Sequence, residues 1–180
     1  MRLIKTIILA FLLNYSSLTI SSGEIVTKIN IEGNNRISDE IILMFAGINL
    51  DQDVKNSQLN EIIKNLFETK FFKNVSVKFE NNIISIIVEE APLIEKVLIT
   101  GIKASKYVTK IEENLKLKSR SSYSEFQLSQ EVQTIETTLK SLGYYFAKVE
   151  PVIENLDNNM INLEYKIDLG NKAKISKISF

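Results

Sequence analysis

Ile25-Val26-Thr27-Lys28-Ile29-Asn30-Ile31-Glu32-Gly33 is a phrase that this chain repeats. Ile94-Glu95-Lys96-Val97-Leu98-Ile99-Thr100-Gly101 restates it about 68 residues on, and Ile175-Ser176-Lys177-Ile178-Ser179-Phe180 begins it again after roughly 80 more. Each copy sets a Lys ahead of a triplet with apolar ends, and the first two then reach a Gly. Self-similarity at a steady spacing signals a repeated structural unit, and repeat arrays commonly serve as binding scaffolds.

Within the first copy, Thr27, Ile29 and Ile31 alternate with Lys28, Asn30 and Glu32, which predicts a strand with one apolar face. Gly33-Asn34-Asn35 ends it. Ser38 is placed to cap a short helix whose first turn holds Asp39 and Glu40, and Gly47 to stop it. Leu59, Ile62, Ile63, Leu66 and Phe67 then follow the i, i+3, i+4, i+7, i+8 spacing of one buried helix face. Val75, Val77 and Phe79 alternate with Ser76 and Lys78; Asn81-Asn82 suits a type I′ turn, and Ile84, Ile86 and Val88 alternate on the return strand. The order is strand, helix, helix, strand, strand.

The second copy opens the same order. A strand with Val97 and Ile99 ends at Gly101, and a short helix carries Val108, Ile111 and Leu115. A long helix follows, with Ser124 and Gln127 at capping-box spacing and Leu128, Val132, Ile135, Leu139 and Leu142 on one face, closed by Gly143. Ala147, Val149 and Ile153 form one hairpin arm, Asn158-Asn159 the turn, and Ile161, Leu163, Tyr165 and Ile167 the other arm. Pro151 lies inside the first arm; lacking an N–H, it places that arm at a sheet edge. The fold class is therefore α+β, built from tandem β-α-α-β-β units, each a small sheet covered on one face by two helices.

Charge and composition narrow the function. The 22 basic residues balance 22 acidic ones, which argues against nucleic-acid binding. The absence of His and Cys removes the usual ligands for zinc and copper, the commonest general base and the thiol nucleophile; no catalytic residue, metal site or cofactor is expected. Residues 1–23 have a different character: Arg2 and Lys5, a short apolar core at 7–13, and a small polar tail that includes Ser21, Ser22 and Gly23. That layout predicts a cleaved signal peptide, since spanning a bilayer takes about 20 apolar residues. The expected organisation is a leader over 1–23, units over 24–91 and 92–169, and the first strand of a truncated third unit over 170–180, making the chain an N-terminal fragment.

The unit order, the Gly33-Asn34-Asn35-Arg36-Ile37-Ser38 run, the Leu66…Thr69…Phe72…Val75 run, the Leu142-Gly143-Tyr144-Tyr145 run and the Glu89-Glu90-Ala91-Pro92-Leu93-Ile94 link together resemble the POTRA arrays of the Omp85 superfamily, in its outer membrane protein assembly branch. Lys70 departs from the pattern, which has Gly there. The resemblance implies a mixed three-stranded sheet per unit with the third strand central. It implies a periplasmic arm that receives unfolded outer-membrane proteins, docks accessory assembly lipoproteins, and reaches the outer membrane through a C-terminal barrel that this chain lacks.

On that resemblance the fourth element of each unit lies at a sheet edge, where unpaired backbone groups accept a guest strand by β-augmentation. The candidate client-binding residues are Lys73, Asn74, Val75, Ser76, Val77, Lys78 and Phe79, with Ala147, Lys148 and Val149 in the second unit. Pro151 should weaken the second edge, leaving 73–79 the better acceptor. Gly33, Asn34, Arg36, Gly101 and Gly143 are junction and turn residues, Arg36 reading as turn-closing rather than anion-binding. Glu89 and Glu90, adjacent in a strand, point to opposite faces and form no catalytic dyad. Of Phe71-Phe72 and Tyr144-Tyr145-Phe146, at most one of each pair is free for binding. Lys106, Lys110, Lys116, Lys118 and Arg120 read as a solvated helix face. The alternatives are a TamA-like or two-partner secretion transporter, which a downstream barrel sequence would decide, and a division protein of FtsQ type, which carries one unit behind a true membrane anchor.

Overall fold

The computed structural model describes residues 24–172; the expected leader over 1–23 and the third repeat of the phrase lie outside the described residues. The elements run β1 (Glu24–Ile25), β2 (Lys28–Glu32), α1 (Asp39–Ala46), β3 (Asp53–Val54), α2 (Asn56–Glu68), β4 (Phe72–Glu80) and β5 (Ile83–Glu90). A second series follows: β6 (Leu93–Thr100), α3 (Ser105–Glu112), α4 (Glu125–Ser141), β7 (Lys148–Leu156) and β8 (Met160–Asp168).

Two three-stranded sheets result, ordered β2-β5-β4 and β6-β8-β7. In each the third main strand is central, parallel to the first and antiparallel to the second. The hairpins close through the two-residue loop Asn81-Asn82, as a type I′ turn demands, and through the three-residue loop Asp157-Asn158-Asn159; all four Asn lie at φ between +51° and +64°, the left-handed region that Asn tolerates. Alternation along the central strands sends Ile84, Ile86 and Val88, and Ile161, Leu163, Tyr165 and Ile167, into the two cores, where all are buried. The cores are separate clusters, one around Ile42, Ile62 and Leu66, the other around Ile111, Ile135 and Leu139.

Several local expectations change. The first strand is interrupted: Val26 is fully buried between β1 and β2, its N–H donates to Gln52 O at 2.9 Å, and β1 turns aside to pair with β3. Ser38 stands at the N-cap of α1 in extended backbone, but its side chain makes no capping bond. The α2 stripe is wider than the surface that covers it. Ile62 and Leu66 are buried, Leu59 and Ile63 half-buried, and Phe67 at its margin is 43% exposed. The basic run is not one helix face. Lys106 and Lys110 belong to α3, whereas Lys116, Lys118 and Arg120 lie in the loop before α4, where Leu115 and Leu117 are buried at an extended rather than helical spacing.

Candidate functional site

Strand β4 occupies an edge of the first sheet. Its inward residues Val75, Val77 and Phe79 are only half-buried, because no further strand covers them, and Lys73, Asn74, Ser76 and Lys78 are exposed. A register shift between Phe72 and Asn74 bends its start. There the Lys73 ammonium lies 3.2 Å from Glu89, and the Asn74 amide also donates to that carboxylate. The Asn74 hydrogen bond, then that of Lys73, hold Glu89 below the ordinary carboxylate range. The strand offers nine residues without a proline.

Strand β7 is the corresponding edge of the second sheet, with Pro151 opposite Tyr165. Lys148 is exposed, but Val149 is largely buried. Ala147 lies outside the strand: it is 5% exposed and its N–H donates to Tyr144 O at 3.2 Å. It therefore has no free N–H to give a guest, which removes it from the candidate set. The missing donor in β7 and its buried start leave β4 the longer uninterrupted edge.

The junction residues cluster where the two units meet. Glu90, at the end of β5, is 5% exposed. Its Oε1 accepts from the N–H groups of Asn35 and Arg36 at 2.8 Å and of Ile37 at 3.0 Å, while Oε2 accepts from Arg36 Nε at 2.8 Å. The Arg36 guanidinium also donates to Ala91 O at 2.8 Å. Arg36 thus folds its own turn onto the central strand, and its anion is internal. Asn34 Nδ2 donates to Ile37 O and to Asp39 Oδ1, both at 2.8 Å, bracing the same turn. From the other side, the Asn159 amide donates to Glu90 O at 3.0 Å, and Leu93 N–H donates to Asn159 O at 3.0 Å. The hairpin tip of the second unit is thereby clasped to the last residue of the first sheet.

Gly33 and Gly101 end the first strand of each unit at φ +89° and +87°, passing close over the carbonyls of Val88 and Ile167. Gly143 follows α4 at φ +92°, where a left-handed residue ends the helix. Lys70 takes the same role after α2 at φ +61°, so the departure from Gly keeps the backbone conformation at some strain.

Burial raises the pKa of Glu90, but the backbone N–H groups of Asn35 and Ile37 and the Arg36 guanidinium outweigh it and hold the carboxyl below its ordinary range. A depressed carboxyl pKa contributes stability that is present above the ordinary value of 4.5 and lost as pH falls below it. Glu90→Gln should flatten that acid limb of the stability profile. A double-mutant cycle of Glu90→Gln with Arg36→Ala should show coupling of about 1–3 kcal/mol; denaturant unfolding across pH reads both, and strictly additive effects would break the assignment.

Two buried carboxylates are marked in the sequence by their phase. Glu90 falls on the buried phase of β5 after Ile84, Ile86 and Val88, and Glu131 falls between Leu128 and Ile135 on the buried face of α4. Glu131 is 3% exposed, and its Oε1 accepts from Lys116 N–H at 2.6 Å and Leu117 N–H at 2.9 Å. Its Oε2 accepts from the buried Tyr165 hydroxyl at 2.5 Å. An acid in phase with an apolar stripe indicates buried donors waiting for it.

Residues 92–170 match the family model described as POTRA, surface antigen variable number repeat. The chain is 25% identical over 157 residues to the outer membrane protein assembly factor BamA of Neisseria meningitidis serogroup B, covering 86% of this chain and 20% of that protein. It is also 25% identical over 183 residues to the BamA of Buchnera aphidicola, covering 98% of this chain and 29% of that protein. The chain thus spans less than a third of the length of these curated relatives. A solved structure of POTRA1-2 of the periplasmic domain of Omp85 from Anabaena superposes with a TM-score of 0.48 at 18% identity, covering 83% of this chain and 97% of that one.

Proposed function

We propose, from the premise that residues 92–170 are a POTRA domain, that the chain is the periplasmic arm of an outer membrane protein assembly factor of BamA type. In this reading residues 1–23 direct export, units over 24–91 and 92–169 form the arm, and a third unit begins at 170. A barrel elsewhere in the full protein holds it at the outer membrane. The arm binds unfolded outer-membrane proteins and accessory lipoproteins by strand augmentation on β4, and less on β7.

The observation that carries this reading is the two-faced, proline-free edge of β4, with half-buried Val75, Val77 and Phe79 on one face and Lys73, Ser76 and Lys78 on the other. Strands of a membrane barrel alternate apolar and polar residues. Laid along β4, such a strand would extend the first core with one face and meet water and charge with the other, while its backbone satisfies the edge.

Titrating an unfolded barrel-strand peptide into the isotope-labelled chain tests this amide by amide. The largest shifts should fall on 73–79, with smaller ones on 148–156. Shifts confined to α1 and α2, with 73–79 silent, would rule out augmentation.

A further inference from the structure

Between the units lies a groove of about 860 Å³ whose walls carry aromatic rings that belong to neither core. The first unit contributes Phe67 and Phe71, 43% and 39% exposed; the second contributes Phe126 in the first turn of α4, 72% exposed. None of the three belongs to either buried cluster. Large apolar rings left in water on both walls of one cleft mark an interaction surface.

Charge is sorted there as well. The chain is neutral as a whole, yet five cations line the groove against one carboxylate, Glu125. Arg36 and Lys73 are paired with Glu90 and Glu89, whereas Lys70, Lys116 and Arg120 make no ion pair among the described residues. Lys116 and Arg120 sit on a loop fixed from beneath, because Glu131 holds the Lys116 N–H and Arg120 N–H donates to Ile94 O at 2.7 Å. The walls are preset by the Asn159–Glu90 clasp, so a ligand need not assemble them.

We propose that this groove docks an acidic, apolar-rich peptide segment of a partner protein. Its apolar side chains lie among Phe67, Phe71 and Phe126 and its carboxylates face Lys70, Lys116 and Arg120. A peptide suits the site better than a lipid because the groove opens onto the start of β4 at Phe72 and Lys73, where backbone groups at a sheet edge are available to a chain and of no use to an acyl tail. The site differs from augmentation along 73–79 in that it requires the second unit, and the two share only the start of β4 at Lys73.

The test is fluorescence anisotropy with a dye-labelled peptide of alternating Leu and Glu, the Leu-Lys peptide as control, and phosphatidylglycerol vesicles as a competing ligand. The Leu-Glu peptide should bind, more weakly as salt rises. Lys116→Glu combined with Arg120→Glu should weaken it at least about tenfold, and Phe126→Ser about fivefold. All three side chains are exposed, so the melting temperature should hold. Equal binding of the Leu-Lys peptide, indifference to the double reversal, or charge-dependent binding of vesicles but not of the Leu-Glu peptide would each overturn the proposal. A silent β4 in the barrel-strand titration beside a retained charge-reversal effect would sink augmentation and support the groove; a responsive β4 with no charge-reversal effect would do the opposite.

Discussion

Gly101→Ala is expected to destabilise the second unit by about 2–6 kcal/mol, from backbone strain and forced separation together. Gly101 holds φ at +87°, and a Cβ there would stand 1.8 Å from the carbonyl oxygen of Ile167. That oxygen belongs to the central strand, so no flexible side chain can swing away; the turn that leaves the first strand must move off the central strand instead. Gly33 faces the same obstacle at 2.0 Å from Val88 O, and Gly33→Ala should damage the first unit comparably. Gly47→Ala is the control. Its φ is +69°, but the nearest atom to an added Cβ is Asn65 Nδ2 at 4.0 Å, so the cost should stay at about 1–2 kcal/mol of conformational strain alone. Urea unfolding of the three variants separates the two effects. Equal losses for Gly101→Ala and Gly47→Ala would show that close approach is not what these glycines permit.

Glu131→Ala should cost about 3–5 kcal/mol, because it strands three donors at once: the buried Leu117 N–H and Tyr165 hydroxyl and the part-buried Lys116 N–H. Tyr165→Phe removes one bond and leaves the carboxylate its two backbone donors, so about 1–2 kcal/mol is expected. Burial, then the Glu131 hydrogen bond and charge, push the Tyr165 phenol far above its ordinary value of 10.0, which keeps it a donor. An acid whose pKa rises on folding contributes stability that is full below the unfolded value and lost as pH climbs past it. The second unit should therefore weaken above about pH 10 with Tyr165 present and less steeply in Tyr165→Phe. Thermal melts from neutral to alkaline pH measure both; a Glu131→Ala loss within about 1 kcal/mol would mean that water replaces the carboxylate.

Periodicity made the framework readable. Ile84, Ile86 and Val88, and Ile161, Leu163, Tyr165 and Ile167, are uninterrupted period-two runs, and each is preceded by an Asn-Asn pair that suits a turn. What stayed hidden was set by tertiary contacts. β3 is two residues long and carries no period, so its pairing with β1 left no trace. Phe67 obeys the helical spacing of α2 yet is exposed, because spacing specifies a face and not how far a neighbour extends over it. The charge spacing of Lys116, Lys118 and Arg120 gives no sign of the loop they occupy, because the carboxylate that holds it, Glu131, comes from the next helix. Glu90, an acid beside Glu89, is placed inside by its phase with Val88 and held there by donors from a distant turn, the Asn35 N–H lying 55 residues earlier. At the candidate edge, the alternation of β4 was legible, while the burial of Ala147 depends on a turn that no pattern announces.

The parallel pairing of the first strand with the third has a kinetic meaning. Within each unit the hairpin closes over two Asn residues, but the first strand must find its place from far away: the Thr27 hydroxyl reaches Asn82 O across 55 residues, and that of Thr100 reaches Glu164 across 64. Loop-closure entropy makes such contacts the last to be rewarded. A unit is therefore expected to form its hairpin before its first strand docks, which would leave one flank of β5 or β8 bare until then. Until that docking the middle strand would itself be an open edge, which an extended chain could occupy in place of the first strand.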